Sequence, residues 1–275
     1  MKKGIKDAAY FRKTLPRLGS VGEKHIFPSL PAGRDDERHR TIFLMSAKHC
    51  NRLSHERKLW DDGTTFVAGV DEAGCGPLAG PVVAAAVMLP CGWSGPGICA
   101  ELRGLNDSKL LAAGQREKYF SVITTHAGIR WAIASVDVEM IDKINIRQAA
   151  WRAMSMALEQ LEPRAQHVLV DGLRIKWLAY PQTALAQGDS KSYSIAAASV
   201  LAKVTRDRMM LEFDKAYPGY GFAQHKGYGT PQHYAAISEK GPCPIHRRSF
   251  APFRPVETEL KLFSPEEDDS GKGRA

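Results

Sequence analysis

Apolar and polar residues in the middle of the chain follow patterns that predict strands. Residues 65–71 form an apolar run ending at a carboxylate, and residues 80–89 are almost wholly apolar, as in a strand buried on both faces. Residues 130–136 alternate, and residues 167–171 are a β-rich run that stops at Gly172. Four strands are therefore predicted, with a possible short fifth strand ending near Ala186.

Two longer segments have the character of helices. Apolar residues recur at helical intervals over residues 139–161, and a long helix is predicted over residues 194–217, where Pro218-Gly219 ends it. Because strands come first and then alternate with helices, the pattern predicts an α/β fold in which helices cover a mixed sheet.

The two ends of the chain differ from this central region. Residues 1–60 mix Lys, Arg, Pro and Gly without a sustained period, and their 14 basic and 6 acidic residues account for the whole net charge of +8. We expect residues 1–60 to be a disordered basic extension, residues 61–254 to be the folded domain, and residues 255–275 to be a disordered acidic tail. The bulk charge alone therefore says little about function.

Composition narrows the class of protein. With 44% hydrophobic and 25% charged residues, the chain resembles an ordinary globular protein, and no apolar run is long enough to span a membrane. Five scattered cysteines without a C-x-x-C pair argue against a disulfide framework and a structural zinc site. The N-terminus lacks the apolar core of a secretory signal, so we expect a cytoplasmic protein, and a monomer.

Acidic residues stand at the ends of predicted elements. Asp71-Glu72 follows the first strand, Asp171 ends the fourth, and Asp189 precedes the long helix. Each alone is more often a turn or a helix cap, but together they could converge on one edge of the sheet, where buried charges must be paired or bound to cations. Carboxylates suit Mg²⁺ or Mn²⁺, and two such ions support in-line displacement at phosphorus without a nucleophilic side chain.

A series of motifs resembles the ribonuclease HII family, in the family's order, along residues 65–254. The series opens with Gly69-Val70-Asp71-Glu72-Ala73-Gly74-Cys75-Gly76-Pro77-Leu78-Ala79-Gly80-Pro81. It continues with Asn106-Asp107-Ser108-Lys109, Ile144-Asn145-Ile146, Val168-Leu169-Val170-Asp171-Gly172, Gly188-Asp189, Ser194-Ile195-Ala196-Ala197-Ala198-Ser199, Lys203-Val204-Thr205-Arg206-Asp207, His225-Lys226-Gly227-Tyr228-Gly229 and His246-Arg247-Arg248-Ser249-Phe250. A chance match to all of them is implausible.

The resemblance implies a ribonuclease H-like fold, with a mixed five-stranded sheet flanked by helices and a helical C-terminal part. It also implies that Asp71, Glu72, Asp171 and Asp189 form an acidic site for Mg²⁺ or Mn²⁺, with two ions in the catalytic complex. The implied reaction cleaves RNA strands of RNA/DNA hybrids and the 5′ side of ribonucleotides embedded in duplex DNA, leaving a 3′-hydroxyl and a 5′-phosphate. Its implied role is ribonucleotide removal from DNA.

Substrate recognition points to a glycine turn and a tyrosine. Main chain in a Gly-rich turn can approach a sugar closely, and Gly74-Cys75-Gly76 matches the family's Gly-Arg-Gly turn, which reads the 2′-hydroxyl. Cys75 replaces the central Arg, and we expect that it weakens the grip on phosphate rather than ribose discrimination. Tyr228, between two glycines, matches the family tyrosine that packs on the following sugar. The candidate phosphate contacts are Lys109, Lys191, Lys203, Lys226, Arg247 and Arg248.

Several alternatives stay open at this point. Asp207 could be the fourth metal ligand, but an ion pair within its helix is the better prediction. His225 and His246 could protonate a leaving group or could be structural. A sister nuclease of the same fold that prefers long hybrids is the main rival, although residues 1–60 look too short and irregular for its added domain. A non-catalytic nucleic-acid binder and a small-molecule phosphatase explain the motifs less well.

Overall fold

The computed structural model describes residues 50–253, which contain one five-stranded mixed sheet. Its strands are β1 (Val67–Ala73), β2 (Val82–Met88), β3 (Arg130–Val136), β4 (His167–Asp171) and β5 (Gln182–Leu185). They lie in the order β3-β2-β1-β4-β5. Strand β2 is antiparallel to β1 and β3, whereas β1 is parallel to β4 and β4 to β5. The mixed five-stranded α/β sheet predicted from the sequence is confirmed.

Helices cover both faces of this sheet. The described α-helices are α1 (Ser54–Asp61), α2 (Ala113–Thr125), α3 (Val138–Ile144), α4 (Ile146–Glu159), α5 (Tyr193–Ala216), α6 (Phe222–His225) and α7 (Pro231–Lys240). One face packs Val67, Val87 and Leu169 against α5, and the other packs Val70 and Val170 against α4. Because both faces are covered, β2 is buried at all seven of its positions.

The single helix predicted over residues 139–161 is wrong in one respect, since the structure divides it into α3 and α4. The break is at Asn145, whose φ of 66° is left-handed and cannot continue an α-helix. Its side-chain oxygen accepts a hydrogen bond from the backbone N–H of Gln148 at 3.2 Å. Asn145 therefore caps the start of α4, a role that suits a short polar side chain better than a helix interior does.

Residues 50–60 correct the expected extent of the N-terminal extension. Instead of being disordered, they form a 3-10 turn (Cys50–Leu53) and most of α1. Leu53 and Trp60 join the core on the α5 face of the sheet, and Glu56 is fully buried. The apolar residues Leu53 and Trp60 are separated on their helix face by the charged Glu56, so the segment carries only a weak helical pattern. The rest of that prediction, and the predicted acidic tail, fall outside the described residues.

A smaller apolar cluster closes the C-terminal part of the domain. It joins Met210 of α5 to Phe222 of α6, Ala236 of α7 and Ile245 beyond α7. This cluster confirms the predicted helical C-terminal part. Between residues 50 and 253, the chain forms no helix of the length and apolar character that a bilayer crossing requires.

Candidate active site

The register between β1 and β4 brings two predicted carboxylates to the same edge of the sheet. Val70 is paired with Val170 in these parallel strands, so Asp71 and Asp171 follow side by side. The two positions have the same parity along their strands and point toward the α5 face. A separation of about one hundred residues in sequence is closed by this single pairing.

Asp189 completes a group of three carboxylates. It lies in a 3-10 turn (Gly188–Ser190) between β5 and α5, and the backbone N–H of Gly188 donates to Asp171 Oδ1 at 2.6 Å. One carboxylate oxygen from each of Asp71, Asp171 and Asp189 lies within 4.8 Å of the others. Glu72 is adjacent but outside this group, and its Oε1 accepts a hydrogen bond from the Cys75 thiol at 3.4 Å.

Crowding of these acids changes their acidity. Burial, followed by the charges of Glu72 and Asp171, holds the pKa of Asp71 well above its usual range. Burial also raises the pKa of Glu72, with a contribution from Asp171. Burial and the neighbouring charges of Asp107 and Asp171 raise the pKa of Asp189 to about 6. Without a cation, the charged forms of these acids are therefore destabilised by burial and, to a smaller extent, by mutual repulsion.

A second layer of polar groups surrounds the carboxylates. The Ser199 hydroxyl of α5 hydrogen bonds to Asp71 and lies 2.9 Å from the Ser108 hydroxyl, in a buried contact. Asp107 accepts from the backbone N–H of Lys109 at 2.8 Å, and its charge helps to raise the pKa of Asp189. Although burial lowers the pKa of Lys109, attraction to Asp107 and to the three carboxylates outweighs it and raises that pKa. Asp107 and Ser199 lie within the motifs that resemble the family, but neither was predicted to be a site residue.

The donor set fits a hard divalent cation. Three buried or half-buried carboxylates whose oxygens lie close together are the ligands that Mg²⁺ and Mn²⁺ favour. Asp71, Asp171 and Asp189 would hold such an ion. Positive charge there would relieve the repulsion that raises the acid pKa values.

Two buried arginines hold the glycine turn. Arg247 donates to the backbone carbonyls of Cys75 at 3.0 Å, Gly74 at 2.6 Å and Gly80 at 2.8 Å. Arg206 donates to the carbonyls of Pro81 and Ala79, both at 3.0 Å, and to that of Lys226 at 3.1 Å. Arg247 is fully buried, so its prediction as a phosphate contact is wrong. Its guanidinium instead shapes the turn that faces the acids.

Gly74 must be a glycine for two reasons. Its φ is +100°, and an added Cβ would lie 2.1 Å from Arg206 Nε. Any side chain here would therefore be strained and would displace a buried arginine.

Tyr228 lies beside this turn. A Cβ added at Gly76 would be 3.6 Å from Tyr228 Cε1, and the backbone N–H of Leu78 donates to the carbonyl of Gly227 at 2.8 Å. Tyr228 is 46% exposed, which excludes the alternative that it is a core aromatic. Its ring and the turn form one surface next to the carboxylates.

The other candidates separate into exposed and structural groups. Lys109, Lys191 and Arg248 are exposed. Lys203 instead pairs with Asp207 at 2.8 Å, which confirms the ion pair predicted for Asp207.

The two histidines are structural by their contacts. His225 Nε2 lies 2.8 Å from the Tyr220 carbonyl, while its Nδ1 accepts from the backbone N–H of Gly227. His246 is buried, with Nε2 3.0 Å from His233 Nε2 and Nδ1 accepting from the N–H of Cys243. Both rings have both nitrogens engaged within the protein, so leaving-group protonation is not supported for either.

Sheet order, helix arrangement and carboxylates together define a ribonuclease H-like enzyme with an acidic metal centre. The family model described as Ribonuclease HII matches residues 68–253. The chain belongs to the ribonuclease HII family and is accordingly a metal-dependent endonuclease of the ribonuclease H type.

Similar proteins support this assignment. The chain is 54% identical over 198 residues to a ribonuclease HII of Ruminiclostridium cellulolyticum, covering 72% of this chain and 74% of that protein. It is 45% identical over 238 residues to one of Anaeromyxobacter, covering 81% and 73%. The crystal structure of ribonuclease H2 from Pyrococcus horikoshii superposes with a TM-score of 0.57 at 28% identity, covering 68% of this chain and 95% of that one.

Proposed function

We propose that the chain cleaves RNA/DNA hybrids and duplex DNA containing single ribonucleotides on the 5′ side of the ribonucleotide, leaving a 3′-hydroxyl and a 5′-phosphate. Asp71, Glu72, Asp171 and Asp189 hold two Mg²⁺ or Mn²⁺ ions in this proposal. The observation that carries it is the approach of three carboxylates to within 4.8 Å beside the glycine turn and Tyr228. Its physiological role is removal of ribonucleotides from DNA.

Each part of the site has a task in this reaction. When bound, the ions supply activation of the attacking water and stabilisation of the leaving oxygen. The main chain of Gly74-Cys75-Gly76 lies next to the acids and can meet a 2′-hydroxyl, the group that distinguishes RNA from DNA. The exposed ring of Tyr228 can pack on the sugar that follows. Lys109, exposed and attracted to the acids, can contact a phosphate near the scissile bond.

The direct test is cleavage of a labelled DNA duplex with one ribonucleotide, with Mg²⁺ or Mn²⁺, by wild type, Asp71→Asn and the exposed control Asp62→Asn. We expect one metal-dependent cut 5′ to the ribonucleotide in wild type and control, and none in Asp71→Asn. Cleavage of long hybrids alone would favour the hybrid-preferring sister type. Silence of the wild type on both substrates would refute the proposal and favour a binder.

Cys75 gives the turn an unusual chemistry. Burial, then the charge and the hydrogen bond of Glu72, raise the pKa of the Cys75 thiol to about 12, so the side chain is neutral and donates to Glu72. A neutral thiol cannot supply the long cationic contact to phosphate that the family's arginine would make. We therefore propose that Cys75 weakens the grip on phosphate and leaves ribose discrimination unchanged.

Substituting Cys75→Arg tests this idea, with Cys75→Ala as the control for loss of the thiol. We expect tighter duplex binding and a salt slope steeper by about one phosphate contact in Cys75→Arg, and no such change in Cys75→Ala. The preference for ribonucleotide over all-DNA duplex should stay the same. Unchanged affinity and slope in Cys75→Arg would contradict the proposal. A monomeric state and a cytoplasmic location stay predictions from the sequence.

A further inference from the structure

A fully buried acid lies outside the segment that the family model matches. Glu56, in α1, is 0% exposed, and its Oε1 accepts three hydrogen bonds. The donors are Ser192 Oγ at 2.6 Å, Ser194 Oγ at 2.7 Å and the backbone N–H of Ser194 at 3.0 Å. Burial of a carboxylate is costly unless it is hydrogen bonded, and the three contacts of Oε1 hold the acid in place, whereas Oε2 is buried with no hydrogen-bond partner among the described residues.

All three donors belong to the start of α5. Ser192 is the N-cap, and its hydroxyl also accepts from the backbone N–H of Ile195 at 3.2 Å. The N-terminus of this 24-residue helix carries the positive end of its dipole, which favours an anion. Glu56 thus completes the cap that Ser192 begins, and it ties α1 to α5.

The start of α5 is linked to the carboxylates by hydrogen bonds and close packing. The backbone N–H of Ser192 donates to the Gly188 carbonyl at 2.8 Å, which closes the turn that carries Asp189. Further along α5, Ser199 hydrogen bonds to Asp71. A Cβ added at Gly69 of β1 would lie 2.3 Å from the carbonyl carbon of Ser194, so the strand that carries Asp71 is in direct contact with the start of α5.

We propose that Glu56 is a positioning residue for the metal centre, acting through the cap of α5 on Asp189 and Ser199. The segment that forms the 3-10 turn and α1 is, on this view, part of the catalytic unit. The inference rests on the proposed metal site. Glu56 touches neither the three carboxylates nor the expected substrate surface, so its effect is indirect and should appear in metal binding rather than in duplex affinity.

The test compares full-length Glu56→Gln with wild type and with Glu159→Gln. Glu159 is a matched control, because its Oε1 also accepts from a serine, Ser155, at 3.0 Å, but at the exposed surface of α4. Mn²⁺ binding is measured by calorimetry without substrate, and amide hydrogen exchange over residues 188–196 is measured without metal. Values of kcat and KM are obtained from initial rates over a range of duplex concentrations.

In Glu56→Gln we expect Mn²⁺ affinity about tenfold weaker, at the lower end of the range for groups that support metal ligands. Faster exchange over residues 188–196 and a lower kcat with unchanged KM for duplex should accompany it. Glu159→Gln should match wild type in all of them. If Glu56→Gln does not fold, Ser194→Ala, which removes one donor and keeps the carboxylate, should show the same changes at a smaller size.

Two results would overturn the inference. Wild-type Mn²⁺ affinity and kcat in Glu56→Gln, even with a lower melting temperature, would make Glu56 merely structural. If wild type itself binds no Mn²⁺ without substrate and cuts no duplex, the proposed function fails and this role fails with it. If wild type binds Mn²⁺ and cuts the duplex, and Glu56→Gln does so equally well, only the positioning role of Glu56 is refuted.

Discussion

Removing the charge of Asp189 should make the metal-free protein more stable. The carboxylate is 6% exposed, and burial with the charges of Asp107 and Asp171 raises its pKa from 3.8 to about 6. The folded state therefore binds this proton more tightly than the unfolded state does, and the free energy of unfolding falls as the pH rises from about 4 to above 6. At about 1.36 kcal/mol for each unit, this loss is about 3 kcal/mol at pH 7.5.

The asparagine of Asp189→Asn does not ionise, so the variant should not lose this free energy of unfolding as the pH rises. In urea unfolding at pH 7.5 with EDTA, we expect Asp189→Asn to be about 2–3 kcal/mol more stable than wild type, and the gain to vanish near pH 4. Saturating Mn²⁺ should reverse the order, because only wild type retains the full set of ligands that links binding to stability. Asp62→Asn, an exposed control, should change stability by less than about 0.5 kcal/mol.

The outcome that would refute this reasoning is specific. Asp189→Asn no more stable than wild type at pH 7.5 without metal would show that burial and the neighbouring acids do not destabilise the charged Asp189 carboxylate. A gain that persists at pH 4 would show that it arises from packing rather than charge. Equal stabilisation of wild type and Asp189→Asn by Mn²⁺ would show that Asp189 is not a ligand of the metal ion.

Other consequences concern the turn and the C-terminal cluster. In urea unfolding, Arg247→Met should lower the free energy of unfolding by about 3 kcal/mol or more, because it leaves buried carbonyls without donors. The exposed control Arg248→Met should change it little. A loss under about 1 kcal/mol for Arg247→Met would contradict this prediction. Gly74→Ala should lower both the melting temperature and the rate of duplex cleavage, because the φ of +100° at Gly74 and the nearby Arg206 leave no room for a Cβ. Wild-type values for both would contradict this prediction. Burial lowers the pKa of His246 to about 4, so the free energy of unfolding should fall by up to about 3 kcal/mol as the pH drops from about 6.5 to 4. In His246→Gln the free energy of unfolding should depend less steeply on pH over this range. An equally steep dependence in the variant would refute this prediction.

Local pattern was sufficient for most of the sheet. The apolar run of β2, the alternation of β3 and the β-rich run of β4 each lie within seven residues, and strand formation depends on such short-range repeats. Helix α2 was missed because its sequence is mostly polar, and only Tyr119 and Ile123 of it are buried. The interruption at Asn145 was missed because a cap and a helix-interior asparagine look alike without the backbone.

Buried charges were the hardest features to predict. Arg247 was predicted to contact phosphate because arginine is rarely fully buried, no role was predicted for Arg206, and Glu56 lay in a segment predicted to be disordered from its basic composition. Apart from the carbonyl of Lys226, 20 residues from Arg206, their partners are backbone carbonyls and serines 125 to 173 residues away in sequence. No local pattern contains such a partner, so the roles of these residues appear only when the chain is folded.

The amino-acid sequence by itself determined the strands, the long helix, and the identity of the acids and glycines that stand at their ends, because these depend on side-chain chemistry and short-range periodicity. The tertiary structure decided which of them meet. The register of β1 with β4 brings Asp71 beside Asp171, and the Glu56 cap sets the start of α5. Those encounters depend on long-range packing, in which one pairing of strands or one buried contact selects the geometry of the whole site.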